Sequence, residues 1–87
     1  MIKVSIPTPL RSYTDERREV YAQGATLDDV LRDLDRRYPG IRFRMVDEQE
    51  SLRPHIRVWI GLDPTHDLRA AVREGDEVVI IQALSGG

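Results

Sequence analysis

Apolar and polar positions alternate from the start of the chain. In residues 2–6, IKVSI, the side chains of Ile2, Val4 and Ile6 share one face, as a half-buried strand requires. Pro7 and Pro9 then remove backbone N–H donors and end the ladder. A polar, turn-like stretch runs from Arg11 to Arg18. Alternation resumes over residues 18–22, with Val20 and Ala22 on one face and Tyr21 on the other. Strand, turn and strand at this spacing predict an N-terminal β-hairpin with a loose connection.

The period changes at Thr26. Leu27, Val30, Leu31, Leu34 and Tyr38 recur at i, i+3, i+4, i+7 and i+11, which draws one apolar stripe on a helix of about three turns. Thr26 suits the N-cap, Asp28 and Asp29 the positive end of the helix dipole, and Arg36 and Arg37 its negative end. Pro39 and Gly40 stop the helix. Residues 46–54, VDEQESLRP, carry charge without period and predict a surface loop.

Residues 55–60, HIRVWI, alternate strictly: Ile56, Val58 and Ile60 point one way, His55, Arg57 and Trp59 the other. Gly61 and Pro64 mark a turn, Leu68, Ala71 and Val72 a short helical turn, and Gly75-Asp76 a second turn before a final strand over residues 77–83. The order is β-β-α-β-β. One amphipathic helix must bury its stripe, and the available surface is one face of a sheet. The expected fold is therefore α+β: a four-stranded mixed sheet, one main helix packed across it, and a short helical turn before the last strand. The first and last strands have the strongest β character and are placed centrally and parallel.

Composition narrows the function. Eighty-seven residues make one small domain with one core, expected to span residues 1–84, with residues 85–87 as a flexible tail. No apolar stretch approaches the ~20 residues that cross a bilayer, and the N-terminus shows no signal-peptide pattern, so a cytoplasmic protein is expected. The absence of cysteine excludes disulfides, Cys-based metal sites and a Cys nucleophile. Net charge is −2, with acidic and basic residues mixed, which argues against nucleic-acid binding. The mild basic cluster of Arg36, Arg37, Arg42 and Arg44 reads as a solvated surface at a helix end. His55 and His66 stand in no metal or triad spacing, and nothing beside Ser85 would activate it as a nucleophile. No metal and no catalytic residues of the chain's own are expected.

The sequence closes with LSGG. Glycine loses more backbone entropy on ordering than any other residue, so Gly86-Gly87 after a strong strand predicts a flexible peptide on a rigid domain. Its one reactive group is the α-carboxylate of Gly87. Without Cβ atoms, such a backbone threads a narrow channel, and the small Ser85 lets it pass. A nucleoside triphosphate can activate the carboxylate as a mixed anhydride. A sulfur nucleophile can then displace the nucleotide and leave a thiocarboxylate on the main chain, a chemistry that needs no side-chain thiol.

This element order, with Gly75-Asp76-Glu77-Val78, one short strand and the terminal Gly86-Gly87, resembles the ubiquitin-like sulfur-carrier family. The helix segment ATLDDVLRDLDRRYPGI is similar too, and the opening VSIPTPLRSYT resembles the cysteine-biosynthesis carriers more than the molybdopterin subunits. The resemblance implies a β-grasp fold and a protein co-substrate that binds no cofactor itself. Gly87 would be adenylated by an E1-like adenylyltransferase using ATP, then carry sulfur as a C-terminal thiocarboxylate. A sulfur-accepting enzyme, cysteine synthase-like or a molybdopterin synthase large subunit, would receive it. Alternation leaves two registers open for the last strand. Analogy with ubiquitin-like domains selects Val78 and Ile80 facing the helix. Val79, Ile81 and Ala83 then lie beside Trp59 on the opposite face, an apolar patch leading through Leu84 to the tail and suited to a partner. The competing readings are a ubiquitin-like modifier conjugated through Gly87, a passive β-grasp binding module, and an independent enzyme using His55 or His66.

Overall fold

The apolar stripe forms helix α1, Leu27–Arg37, in the computed structural model, which describes residues 1–83. Thr26 is extended, and its hydroxyl oxygen accepts the Asp29 N–H at 3.1 Å, closing the first turn. Leu27, Val30, Leu31 and Leu34 are buried, and Tyr38 sits half-buried at the C-cap. The polar segment after Pro7 is more ordered than its composition suggests: it is a 3-10 helix, Thr8–Thr14, whose Leu10 enters the core. A second 3-10 turn, Arg42–Arg44, follows α1.

The strands are β1 Ile2–Ser5, β2 Glu19–Ala22, β3 Ile56–Ile60, β4 Asp63–Thr65 and β5 Glu77–Gln82. They form one mixed sheet in the order β2-β1-β5-β3-β4. β1 pairs antiparallel with β2 and parallel with β5, so the first and last long strands lie side by side as their β character predicts. The inner face presents Ile2, Val4, Val20, Ala22, Ile56, Val58, Val78 and Ile80 to the α1 stripe. Each fully buried aliphatic side chain contributes roughly 1.5–3 kcal/mol relative to exposure.

Two expectations change. The sheet has five strands rather than four, because Gly61, at φ +61°, folds the chain back and lets Asp63–Thr65 pair with β3. Pro64 is tolerated there because β4 is an edge strand. The helical turn expected around Leu68 is a single turn, with Ala70 N–H donating to Asp67 O. Its other carbonyls serve α1 instead: Leu27 N–H donates to Ala70 O and Asp28 N–H to Leu68 O. These bonds satisfy helix donors that have no intrahelical acceptor. Val72 is buried beyond this turn.

The charged loop over residues 46–54 is on the surface but tethered. A Val46–Leu52 bridge closes it, and Asp47 Oδ1 accepts the N–H groups of Gln49 and Ser51. Arg42 ties it to the helix start through Asp28 (2.6 Å) and Glu50 (3.1 Å). Two members of the basic cluster, Arg36 and Arg37, are likewise paired, both with Asp33.

Candidate functional site

β5 enters the sheet through a tight turn built by the Gly75-Asp76 pair. Gly75 adopts φ +91°, a region that disfavours side chains, and Asp76 Oδ2 accepts the Arg73 N–H at 2.8 Å. From there β5 runs between β1 and β3, and the Ala83 N–H donates to His55 O at 2.8 Å. The other named tail residues, Leu84, Ser85, Gly86 and Gly87, lie outside the described residues.

Cross-strand register decides which side chains share the outer face. Val78 and Ile80 are buried, so Val79 and Ile81 point away from α1. Trp59 stands opposite Val79 on β5 and opposite Pro64 on β4; Arg57 stands opposite Ile81. Trp59 is 37% exposed and Ile81 44%, while Val79 and Ala83 are half-buried. The four described members of the predicted patch therefore fall on or beside two adjacent strands. Pro64, on a strand absent from the sequence reading, extends the patch. A shallow groove continues it across β5 to Ser5, Pro7 and Pro9.

The opposite end of the outer face is polar. Lys3 lies between Glu19 (3.5 Å) and Glu77 (3.9 Å), and these carboxylates, Glu19 foremost, raise its pKa. The outer face thus runs from the Lys3 ion pairs to the apolar strip of Trp59, Val79 and Ile81, which Arg57 flanks. Neither histidine gathers catalytic company: His55 lends its backbone carbonyl to β5, and His66 is exposed after β4. Among the described residues no group of three or more His, Asp or Glu side chains could hold a metal ion, and no helix is long and apolar enough to cross a membrane.

Sequence reasoning missed the tail-side rim, where Phe43 is 56% exposed and the Arg53 guanidinium sits 4.7 Å from its ring centroid. Phe43 lies between two arginines in a segment with no period, and an aromatic in such a setting was its one available signal.

Residues 4–87 match the ThiS family, a span that includes Gly86-Gly87. The sulfur carrier protein CysO of Mycobacterium tuberculosis is 34% identical over 91 residues, covering 99% of this chain and 98% of that protein. A chain in the crystal structure of the Amycolatopsis orientalis BexX/CysO complex superposes with a TM-score of 0.92 at 37% identity, over the whole of both chains. Small archaeal modifier protein 3 of Haloferax volcanii is 33% identical over 66 residues, covering 72% of this chain and 71% of that protein. With the β-grasp architecture and a match over nearly its whole length, this chain belongs to the ThiS family of ubiquitin-like sulfur carriers.

Proposed function

We propose that this chain is the sulfur-carrying co-substrate of a cysteine-forming system, with the Gly87 carboxylate as its working group. The observation that carries the reading is the full-length match to CysO proteins, extending through the Gly-Gly pair, on a fold whose central strand leads to it.

The chemistry belongs to partner enzymes. An E1-like adenylyltransferase brings ATP; the Gly87 carboxylate attacks the α-phosphorus and pyrophosphate leaves. The terminal sulfur of a persulfide donor then attacks the acyl carbon and AMP leaves. A thiol cleaves the remaining S–S bond and frees the thiocarboxylate. A cysteine synthase-like enzyme takes that sulfur. The chain's own part is to present its tail and to dock. Trp59, Val79, Ile81 and Ala83 form the docking strip, continued by Leu84, while Ser85 and Gly86 pass through the enzyme channel. Burying the exposed parts of Trp59 and Ile81 against a partner gives the strip its affinity.

Intact mass spectrometry tests this. After incubation with the adenylyltransferase, ATP and a persulfide donor, the mass should rise by the difference between one sulfur and one oxygen. An unchanged mass would overturn the reading. The likeness to an archaeal modifier protein supports a second use of the same carboxylate, an isopeptide bond to lysines of other proteins. Covalent conjugates on a denaturing gel would reveal it.

A further inference from the structure

Ion pairing divides the arginines of this chain by location. Of twelve, five pair with carboxylates among the described residues: Arg32, Arg36, Arg37, Arg42 and Arg69. Six of the others, Arg11, Arg17, Arg18, Arg44, Arg53 and Arg57, belong to segments at one end of the domain. β1 and β5 end there while β2 and β3 begin there, as the parallel β1–β5 pairing and the antiparallel β1–β2 and β3–β5 pairings require. Arg18 O accepts the Ile6 N–H just beyond β1, and Arg57 stands opposite Ile81. Phe43, Arg44, Arg53 and His55 line a shallow pocket with Gln82, one residue before the last described position. The acids nearby in the chain are Asp15 and Glu16, exposed at the turn before β2, Glu19, which is paired with Lys3, and three in the loop between Arg44 and Arg53: Glu50, paired with Arg32 and Arg42, Asp47, which accepts backbone N–H groups of its own loop, and the exposed Glu48.

Two of these guanidinium groups are held in place before any partner arrives. Arg11 Nε donates to Ile6 O at 2.9 Å, and Arg53 Nε to Phe43 O at 2.8 Å. A guanidinium anchored through Nε keeps its fork for a carboxylate and loses less freedom on binding. Three residues separate Ala83 from Gly87, and a chain spans at most ~3.6 Å per residue. The collar therefore reaches the mouth of a channel that takes the tail, and the reacting carboxylate travels beyond it.

We infer that this arginine collar docks against an acidic rim around the tail channel of the activating adenylyltransferase. The inference rests on the sulfur-carrier reading and adds the charge chemistry of the recognition step. The collar steers the carrier onto the enzyme, and the apolar strip beside it sets the seated position. An acidic protein rim is favoured over a nucleic acid because the whole chain is net negative and the collar lies at the end of the sheet where β5 ends.

The test is ATP–pyrophosphate exchange by the purified adenylyltransferase, measured against carrier concentration. Reversing two collar charges, in Arg44→Glu/Arg57→Glu, should raise KM about tenfold at low salt while kcat stays within about twofold. Added salt should raise the wild-type KM and narrow that gap. Arg44→Gln/Arg57→Gln should fall between, and circular dichroism melts check that both variants fold. The control Arg69→Glu/Arg73→Glu makes the same charge change elsewhere and should leave KM unaltered. If the collar variants keep the wild-type KM, or the control matches them, the inference is overturned while the carrier reading survives. If the wild-type chain supports no exchange, the carrier reading fails and takes the inference with it. If labelled single-stranded RNA binds the wild type but not the collar variants, and KM is unmoved, the collar belongs to a nucleic acid instead.

Discussion

Asp33 Oδ2 accepts the backbone N–H of Gln23 at 2.8 Å, joining the middle of α1 to the residue that follows β2. Asp33 is buried, and burial alone raises a carboxyl pKa. Hydrogen bonds from Arg36, the Gln23 N–H and Arg37 outweigh it and hold the group at about 2. The folded pKa lies below the ordinary 3.8, so the stabilisation is present above that pH and is lost as pH falls towards 2. Asp33→Asn keeps an acceptor but loses the charge, and should cost about 1–2 kcal/mol at neutral pH. Urea unfolding at neutral pH and again near the folded pKa checks this: the gap between wild type and variant should shrink in acid. A gap independent of pH would remove the charge from the explanation.

The same junction leaves no room for a side chain at Gly24. A Cβ built there would lie 2.6 Å from Val30 N and 2.8 Å from Asp29 C, both backbone atoms of α1. Gly24→Ala must therefore shift the helix against β2, and an overpacked site of this kind costs about 1–3 kcal/mol. The check is the urea midpoint, which should fall with an unchanged slope. A midpoint equal to the wild type would show that the helix start gives way freely.

The period-two runs at Ile2, Val4, Ile6 and at Ile56, Val58, and the stripe from Leu27 to Leu34, were legible because burial imposes them residue by residue. The central, parallel placement of the first and last long strands followed from their apolar strength. β4 was not legible: Asp63-Pro64-Thr65 has no strand pattern of its own and pairs only because the Gly61 turn returns it to β3. The turn at Asp67–Ala70 was misjudged because its carbonyls are claimed by α1, a long-range demand absent from local spacing. At the site, β5's register needed an analogy, since both of its faces are apolar. The arginine collar was invisible because Arg11, Arg44 and Arg57 come together only when the strand ends do.

Ile80 and Ile81 are chain neighbours on opposite faces, 2% and 44% exposed. Ile80→Ala should cost about 2–5 kcal/mol of stability, as large-to-small changes in a packed core do. Ile81→Ala should change stability by less than about 1 kcal/mol. Its effect belongs to binding: KM for the adenylyltransferase should rise by more than the small stability change accounts for. Thermal melts and exchange kinetics on both variants give the comparison. Equal losses of stability would contradict the register, and an unaltered KM for Ile81→Ala would remove Ile81 from the docking strip.

The carboxylate itself is tested by appending one alanine after Gly87. Among the described residues the last bond of the β5 ladder is Ala83–His55 and the last buried apolar residue is Ile80, and the added alanine stands several positions further along the chain. Melting should therefore match the wild type. The new terminus carries a methyl group that Gly87 lacks, and its carboxylate sits one residue past the position that the proposed chemistry uses. Adenylation depends on holding the attacking oxygen within about 3–3.5 Å of phosphorus, so this displacement should abolish exchange and sulfur loading. Removing the alanine with a carboxypeptidase should restore both. An extended chain that still loads sulfur would place the reactive group somewhere other than the Gly87 main chain.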